Sequence, residues 1–441
     1  MKLSQSLLFF ISTIKYITPL AAASTSEGDD NKMFRLRGAA KQQRALYDQS
    51  SNNNNADEQK CQRPYHYKLS EAEWHNKEDG RLRISPQNYC GWNMQMAEVQ
   101  LNSGGVRDLH WHRKGAEWGY ISKGKCELTL SDEKNRFITT VANVGDVYYF
   151  PLGWQHSIQA VADVESEEDE DISTRDPREP TKGGEGCTVL LWFDDADGAG
   201  SINLSDIIAA YPQDVLKASL NDIPTEVTDT FPDKTNAIAL GTIRPNGELN
   251  KPSDYPLDLW PVFPIEKGAI LDSGEGGKEY SVRQEQMLAS LTMSGAKIEL
   301  EKGAMRELHW HTNADELHYV VSGCVRNIVH GNIDFPGVPA EEYVICAGDV
   351  GYIPKNFVHY LEAVDGPAEI IVAFNHPSWG TQGLSGMMSV TPADINAAVL
   401  KTTVEVAEEY FPKESTAFLK KKEEGGKIGG DIEGERLMTM A

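Results

Sequence analysis

The apolar positions of this chain come in short runs with few helical spacings among them. Cys126-Glu-Leu-Thr-Leu, Val147-Tyr-Tyr-Phe and Val189-Leu-Leu-Trp-Phe form one series; Tyr343-Val-Ile and Ile370-Ile-Val-Ala-Phe form another. Gly124, Gly145, Gly323 and Gly348 punctuate them. Short β-branched and aromatic runs bounded by glycine predict strands of an antiparallel sandwich or barrel. A helical pattern closes each series. Ser205 reads as an N-cap for residues 206–210, and Thr391-Pro392-Ala-Asp opens a second helix with proline at its first position. The expected fold is all-β with flanking helices: two barrels, each followed by helices able to pack on the partner barrel.

The two series are copies. Arg107-Asp-Leu-His-Trp-His reads against Arg306-Glu-Leu-His-Trp-His. The offset is 199 residues for Arg107/Arg306, His110/His309 and Glu117/Glu316, and 203 for Gly145/Gly348, Pro151/Pro354 and His156/His359. A near-constant offset of that length marks a duplicated domain, each copy large enough to bury its own core. The divisions expected are a secretory signal at 1–23, a disordered leader at 24–60, copies at 61–235 and 255–411, and a flexible tail at 412–441.

Each copy carries three histidines and a glutamate. In a strand, residues i and i+2 share a face, so His110 and His112 point one way while Trp111 points the other, and likewise for His309, His311 and Trp310. Glu117 and Glu316 follow each pair closely; His156 and His359 come from a later strand. A closed barrel interior can bring such residues together. Four nitrogen and oxygen ligands suit manganese, iron or a similar ion and leave open positions for small ligands. With no cysteine in the set, a structural zinc finger is disfavoured. His66, His75, His318, His330 and His376 read as ordinary core or surface histidines. Arg107 and Arg306 would face away from the metal in a regular strand. Facing it requires a bend, which Gly104-Gly105 and Gly303 could allow, and would make each guanidinium a carboxylate clamp.

Charge and cysteines narrow the setting. A net charge of −24 over 441 residues disfavours nucleic acid and anionic membranes as partners. It also demands local positive charge for any anionic substrate. Lys2, the apolar stretch 6–14 and Ala21-Ala22-Ala23 have the layout of a signal peptide, predicting a secreted protein. Six cysteines fit an oxidising compartment. Cys61 and Cys90 are the pair expected; Cys126, Cys187, Cys324 and Cys346 read equally as buried thiols. The acidic run 163–171 reads as a solvated insertion. Asn203-Leu-Ser205 is a glycosylation sequon.

Taken together, Arg-Asp-Leu-His-Trp-His, Gly-Asp-Val-Tyr-Tyr-Phe-Pro and His-Ser-Ile-Gln-Ala in copy one, with their counterparts in copy two, resemble the bicupin oxalate decarboxylases over about 85–400. The resemblance implies tandem cupin barrels and two manganese ions, one on His110, His112, Glu117 and His156, the other on His309, His311, Glu316 and His359. It implies Arg107 and Arg306 as substrate-binding arginines, dioxygen as co-substrate, conversion of oxalate to formate and carbon dioxide, and a homo-oligomer, trimer or hexamer. The family's decarboxylases carry a lid glutamate after Phe-Asp-Asp. Here that segment, Phe193-Asp-Asp-Ala-Asp-Gly-Ala-Gly-Ser201, is shorter and has none, leaving Asp197 as the replacement acid. A second family glutamate falls on Val372 or Ala373. Both departures point toward oxalate oxidase, which yields carbon dioxide and peroxide. A non-catalytic storage-type or metal-binding bicupin is the further alternative, disfavoured by two complete ligand sets.

Overall fold

A computed structural model describes residues 64–161, 186–220, 223–234, 236–240, 255–256, 259–330, 341–411, 413–415 and 417–420. The signal segment, the leader, Cys61, the acidic run and the chain beyond 420 lie outside the described residues.

Both copies fall in one unit, Arg63–Ala441, whose strands form four antiparallel sheets, two per barrel. In the first barrel, a seven-stranded sheet runs from Val262–Pro264 through Asp146–Phe150, Glu117–Lys123, Cys187–Phe193, Gln95–Leu101 and Gly80–Ile84 to His75–Lys77. A six-stranded sheet centred on Gly105–His112 and Gln155–Ala160 faces it. The second barrel repeats the plan around Glu316–Ser322 and Ala304–His311. Each copy lends an edge strand to the other. His66–Tyr67 pairs with Val350–Ile353 of the second barrel, and Val262–Pro264 with Asp146–Phe150 of the first. Such exchange covers edges that would otherwise be open templates for association.

The run Val189-Leu-Leu-Trp-Phe is continuously apolar because its sheet is buried on both faces. Val189, Leu191 and Phe193 enter the first barrel's core with Val99, Ile121 and Phe150. Leu190 and Trp192 join Trp118, Leu317, Tyr352 and Ile371 in a shared cluster between the two seven-stranded sheets. Gly295 makes room there: a Cβ at that position would lie 2.3 Å from the Trp118 ring. The clean inside–outside alternation of a one-sided sheet is therefore absent.

Several expectations change. The first helix is Leu204–Ala210 with Asn203, not Ser205, as its N-cap; the Asp206 carboxylate accepts from the Asn203 backbone N–H at 2.9 Å. The second starts one residue later than expected, Ala393–Leu400 behind Pro392. Helices Leu204–Ala210 and Leu384–Val390 lie against strands of their own barrels, tied by Asp108 and Glu307. Phe418–Lys420, placed in the tail by sequence, is a strand against Ala304–Arg306.

The cysteines left open as thiols are bonded. Cys126–Cys187 joins the two sheets of the first barrel, and Cys324–Cys346 joins neighbouring strands of the second. They close loops of 61 and 22 residues, which removes freedom from the unfolded chain. Cys90 is also disulfide-bonded; its expected partner Cys61 is outside the described residues.

Candidate metal centres

The strand Gly105–His112 brings His110 and His112 into the first barrel, where both are under 5 % exposed. Glu117 opens the next strand and His156 sits directly opposite His110 on Gln155–Ala160. In the second barrel His309, His311, Glu316 and His359 occupy the same places, with His309 opposite His359. Within each set the ligand-type atoms lie within 4.8 Å of one another, and every residue is buried.

The imidazoles are aimed by the backbone. His110 Nδ1 lies 2.6 Å from the Asp108 carbonyl and His156 Nδ1 lies 2.9 Å from the Trp154 carbonyl. His309 and His359 do the same with the Glu307 and Phe357 carbonyls, at 2.6 and 3.0 Å. An Nδ1–H donated to a carbonyl leaves the Nε2 lone pair facing inward, as a metal ligand requires. His156 Nε2 is buried with no hydrogen-bond partner, and His112 Nε2 lies 2.9 Å from Glu117 Oε2. An orphaned buried nitrogen converging with two more imidazoles and a carboxylate fits a divalent cation.

Electrostatics agree. Burial, with the neighbouring Arg107 and the other two imidazoles, holds His110 well below its ordinary value. Burial, with His359, Arg306 and His311, does so for His309. Burial alone would raise the Glu117 and Glu316 carboxyls, but the surrounding histidines hold both below the usual carboxylate range. His110, His112, His309 and His311 are thus held neutral beside an ionised Glu117 or Glu316, the protonation state that binds metal. Metal-free protein should lose stability in acid. An unfolded chain takes up protons below the ordinary histidine value of 6.5, whereas the depressed folded sites do not. Stability is therefore fully present above that value and lost as pH falls, with the glutamates adding to the loss below 4.5. Thermal melts of the metal-free protein between about pH 7.5 and pH 5 should show a falling midpoint; a flat profile would contradict this.

Arg107 and Arg306 do turn toward the sites, by a bulge. Arg107 pairs with Ile158 and His110 with His156, so three residues on one strand span two on its partner. Arg306/Leu361 and His309/His359 repeat it. One extra residue reverses the face parity and re-aims the side chain, so the glycines proposed for the bend are not its cause. The bulged Asp108 and Glu307 are put to use: their carboxylates accept the Ser205 and Ser385 backbone N–H groups, each at 3.0 Å, fixing the following helix. Arg107 donates to Asn203 Oδ1 at 2.7 Å, Ser201 Oγ at 2.9 Å and the Ala237 carbonyl at 3.1 Å. Asn203, the sequon asparagine, is buried and committed to this contact rather than offered for modification.

Sequence reading missed what holds the glutamates. Tyr148 donates its hydroxyl to Glu117 Oε1 at 2.7 Å. In the second barrel His318 Nδ1 lies 2.8 Å from Glu316 Oε1. His318, an ordinary histidine by sequence, is fully buried. The two residues are not equivalent. His318 corresponds to Gly119 and Tyr148 to Gly351, at the repeat offsets of 199 and 203. A Cβ on Gly119 would lie 2.1 Å from the Tyr148 ring, and one on Gly351 2.1 Å from the His318 ring. One space beside each carboxylate is filled from opposite strands in the two barrels. Aligning the copies residue by residue would have revealed the exchange.

A cavity of about 260 Å³ opens onto the first centre, lined by Arg107, His110, His112, Glu117, Leu82 and Phe193 among others. Exposed His75 and Lys77 form part of its wall.

A family model described as Cupin matches residues 82–168 and 271–409. Oxalate decarboxylase OxdC of Bacillus subtilis (strain 168) is 31% identical over 343 residues, 75% of this chain and 79% of that protein. The chain belongs to the bicupin oxalate decarboxylase family. An oxalate decarboxylase of Arthroderma benhamiae is 30% identical over 70% of this chain and 73% of its own. The solved structure of Bacillus subtilis oxalate decarboxylase at pH 4.6 superposes with a TM-score of 0.69 at 28% identity, covering 81% of this chain and 88% of that one.

Asp197, the acid expected from the resemblance, sits on the short turn after Phe193. Its carboxylate meets the Lys114 ammonium, and it does not line the cavity. The neighbouring aspartates are also committed: Asp194 accepts from the Ala116 N–H at 2.8 Å and from Thr292, and Asp195 from the Asp197 N–H at 2.8 Å. The segment is a turn locked by its own carboxylates. Val372 and Ala373 are buried in the core, without an acid in either position.

Proposed function

We propose that this protein is a secreted, manganese- and dioxygen-dependent oxalate decarboxylase, converting hydrogen oxalate to formate and carbon dioxide. The observation that carries the reading is the first centre itself: three inward imidazoles, Glu117 and the Arg107 guanidinium around one small cavity. Manganese would be held by the four ligands of each set and would supply positive charge and one-electron chemistry with dioxygen. Arg107, fixed by Asn203 and Ser201, offers N–H donors to a substrate carboxylate. Leu82, Ile158, Leu191 and Phe193 line the cavity with apolar surface that favours loss of neutral carbon dioxide. A proton must reach the carbon left behind. With Asp197 held by Lys114, the titratable groups among the described residues that line the cavity beyond the ligands and Arg107 are His75 and Lys77.

Oxalate oxidase is the second reading, favoured by one observation: among the described residues, no carboxylic acid besides Glu117 lines the cavity. A storage role fits less well, since both ligand sets are complete and buried. Oxalate and air given to manganese-loaded protein should yield formate, with His75→Asn lowering formate relative to peroxide. Peroxide as the main product of the parent would install the oxidase reading, and neither product would remove the enzyme.

Secretion is supported by the two described disulfides and the bonded Cys90. A homo-oligomer is supported by exposed apolar side chains on the helices, among them Val215, Val390 and Val399. Among the described residues no helix is long and apolar enough to cross a membrane.

A further inference from the structure

Beside the exchanged Tyr148/His318 pair, the duplicated centres differ at a further place, held in the second barrel by the buried Glu279. Leu82 pairs with Val99 in the first barrel, and Glu279 pairs with Ile298 in the second. Val99 and Ile298 stand at the repeat offset of 199, so Glu279 is the counterpart of Leu82. Leu82 lines the cavity of the first centre. Glu279 is 4 % exposed, and its Oε2 takes the Arg306 Nε–H at 3.3 Å. Arg306 lies over the Phe418 ring, its Cζ 5.4 Å from the centroid, and its Nη1 is directed at the Ala417 carbonyl at 3.4 Å. The hydrogen bonds of Arg107 instead run to uncharged acceptors.

A guanidinium whose charge is already matched by a buried carboxylate attracts a second carboxylate less strongly than one bonded only to uncharged acceptors. In the second barrel that first carboxylate is already part of the chain. A buried carboxylate also repels an arriving anion across a low-dielectric interior, more strongly than it would in water. Burial pushes the Glu279 carboxyl up, the Arg306 guanidinium beside it opposes that rise, and the Glu316 charge adds to it.

We propose that Glu279 is an internal carboxylate that occupies Arg306 and closes the second centre to the small carboxylate substrate. The second centre then keeps its metal set but takes no oxalate, and substrate specificity is confined to the barrel with Leu82. The inference rests on the reading of Arg107 and Arg306 as substrate clamps.

The test is calorimetric titration of oxalate into manganese-loaded protein without oxygen. Metal content and circular dichroism are checked first in every variant. Arg107→Ala should bind none, and Arg107→Ala with Glu279→Leu, which installs the first barrel's residue, should bind one oxalate per chain. Adding Arg306→Ala should abolish that gain. Glu279→Gln, which keeps the shape and removes the charge, serves as the second variant should the leucine fail to fold, and should also gain binding. Oxalate bound by Arg107→Ala alone, or no gain with either Glu279 variant, overturns the proposal. The parent against Arg107→Ala reads the first centre separately. A parent that binds none there contradicts the proposed function and leaves the Glu279 comparison intact.

Discussion

His156→Ala should hold one transition-metal ion where the parent is expected to hold two, and its turnover of oxalate should be lost. His156 Nδ1 is held by the Trp154 carbonyl, which turns the buried, unpartnered Nε2 toward the cavity 3.6 Å from Glu117 Oε2, where a cation would bind it. Truncation leaves two imidazoles and one carboxylate beside the space that the His156 ring fills against Phe150, 4.3 Å between centroids. Outer partners of metal ligands are typically worth about 10–100-fold in affinity, and a ligand itself should exceed that. His359→Ala should remove the other ion only, because the two ligand sets sit in separate barrel cores. Elemental analysis of both variants checks this. Loss of both ions from either single change would mean the centres are not independent.

The second large effect concerns the exchanged pair beside the glutamates. Gly119→His alone would drive a ring into Tyr148, whose nearest ring atom is only 2.1 Å from where a Cβ on residue 119 would stand. Tyr148→Gly alone would strip Glu117 Oε1 of its donor and open a hole. Each single change should cost about 2–5 kcal/mol of stability, from overpacking in one case and from a cavity with an unpaired carboxylate oxygen in the other. The double change copies the second barrel, where His318 fills the space opposite Gly351 and reaches Glu316. It should recover most of the loss, with a coupling of about 1–3 kcal/mol. Denaturant melts of the four proteins measure that coupling. Simple additivity would show that the two residues do not share one space.

The eight ligands were legible because duplication repeats them at fixed offsets. The strands could be read from glycine-bounded apolar runs, since steric demands of a pleated, buried surface select those residues. Other features depend on pairing, which no single segment encodes. The bulge that turns Arg107 is set by register with Gln155–Ala160, not by a local glycine. The exchanged strands His66–Tyr67 and Val262–Pro264 are two and three residues long, too short for any pattern. Asp197 looked available as an acid because its lysine partner, Lys114, is 83 residues away. Tyr148, His318 and Glu279 escaped for a common reason. A search for what the copies share passes over the positions where they differ, and those are the positions that distinguish one centre from the other.

Each barrel encloses three imidazoles and a carboxylate placed to hold a cation, and everything proposed for the chemistry depends on their doing so. Elemental analysis of protein produced with manganese and freed of loosely bound ions tests it most directly. Two tightly held transition-metal ions per chain are expected, falling to one in each single-ligand variant. A well-folded parent that retains none would contradict it.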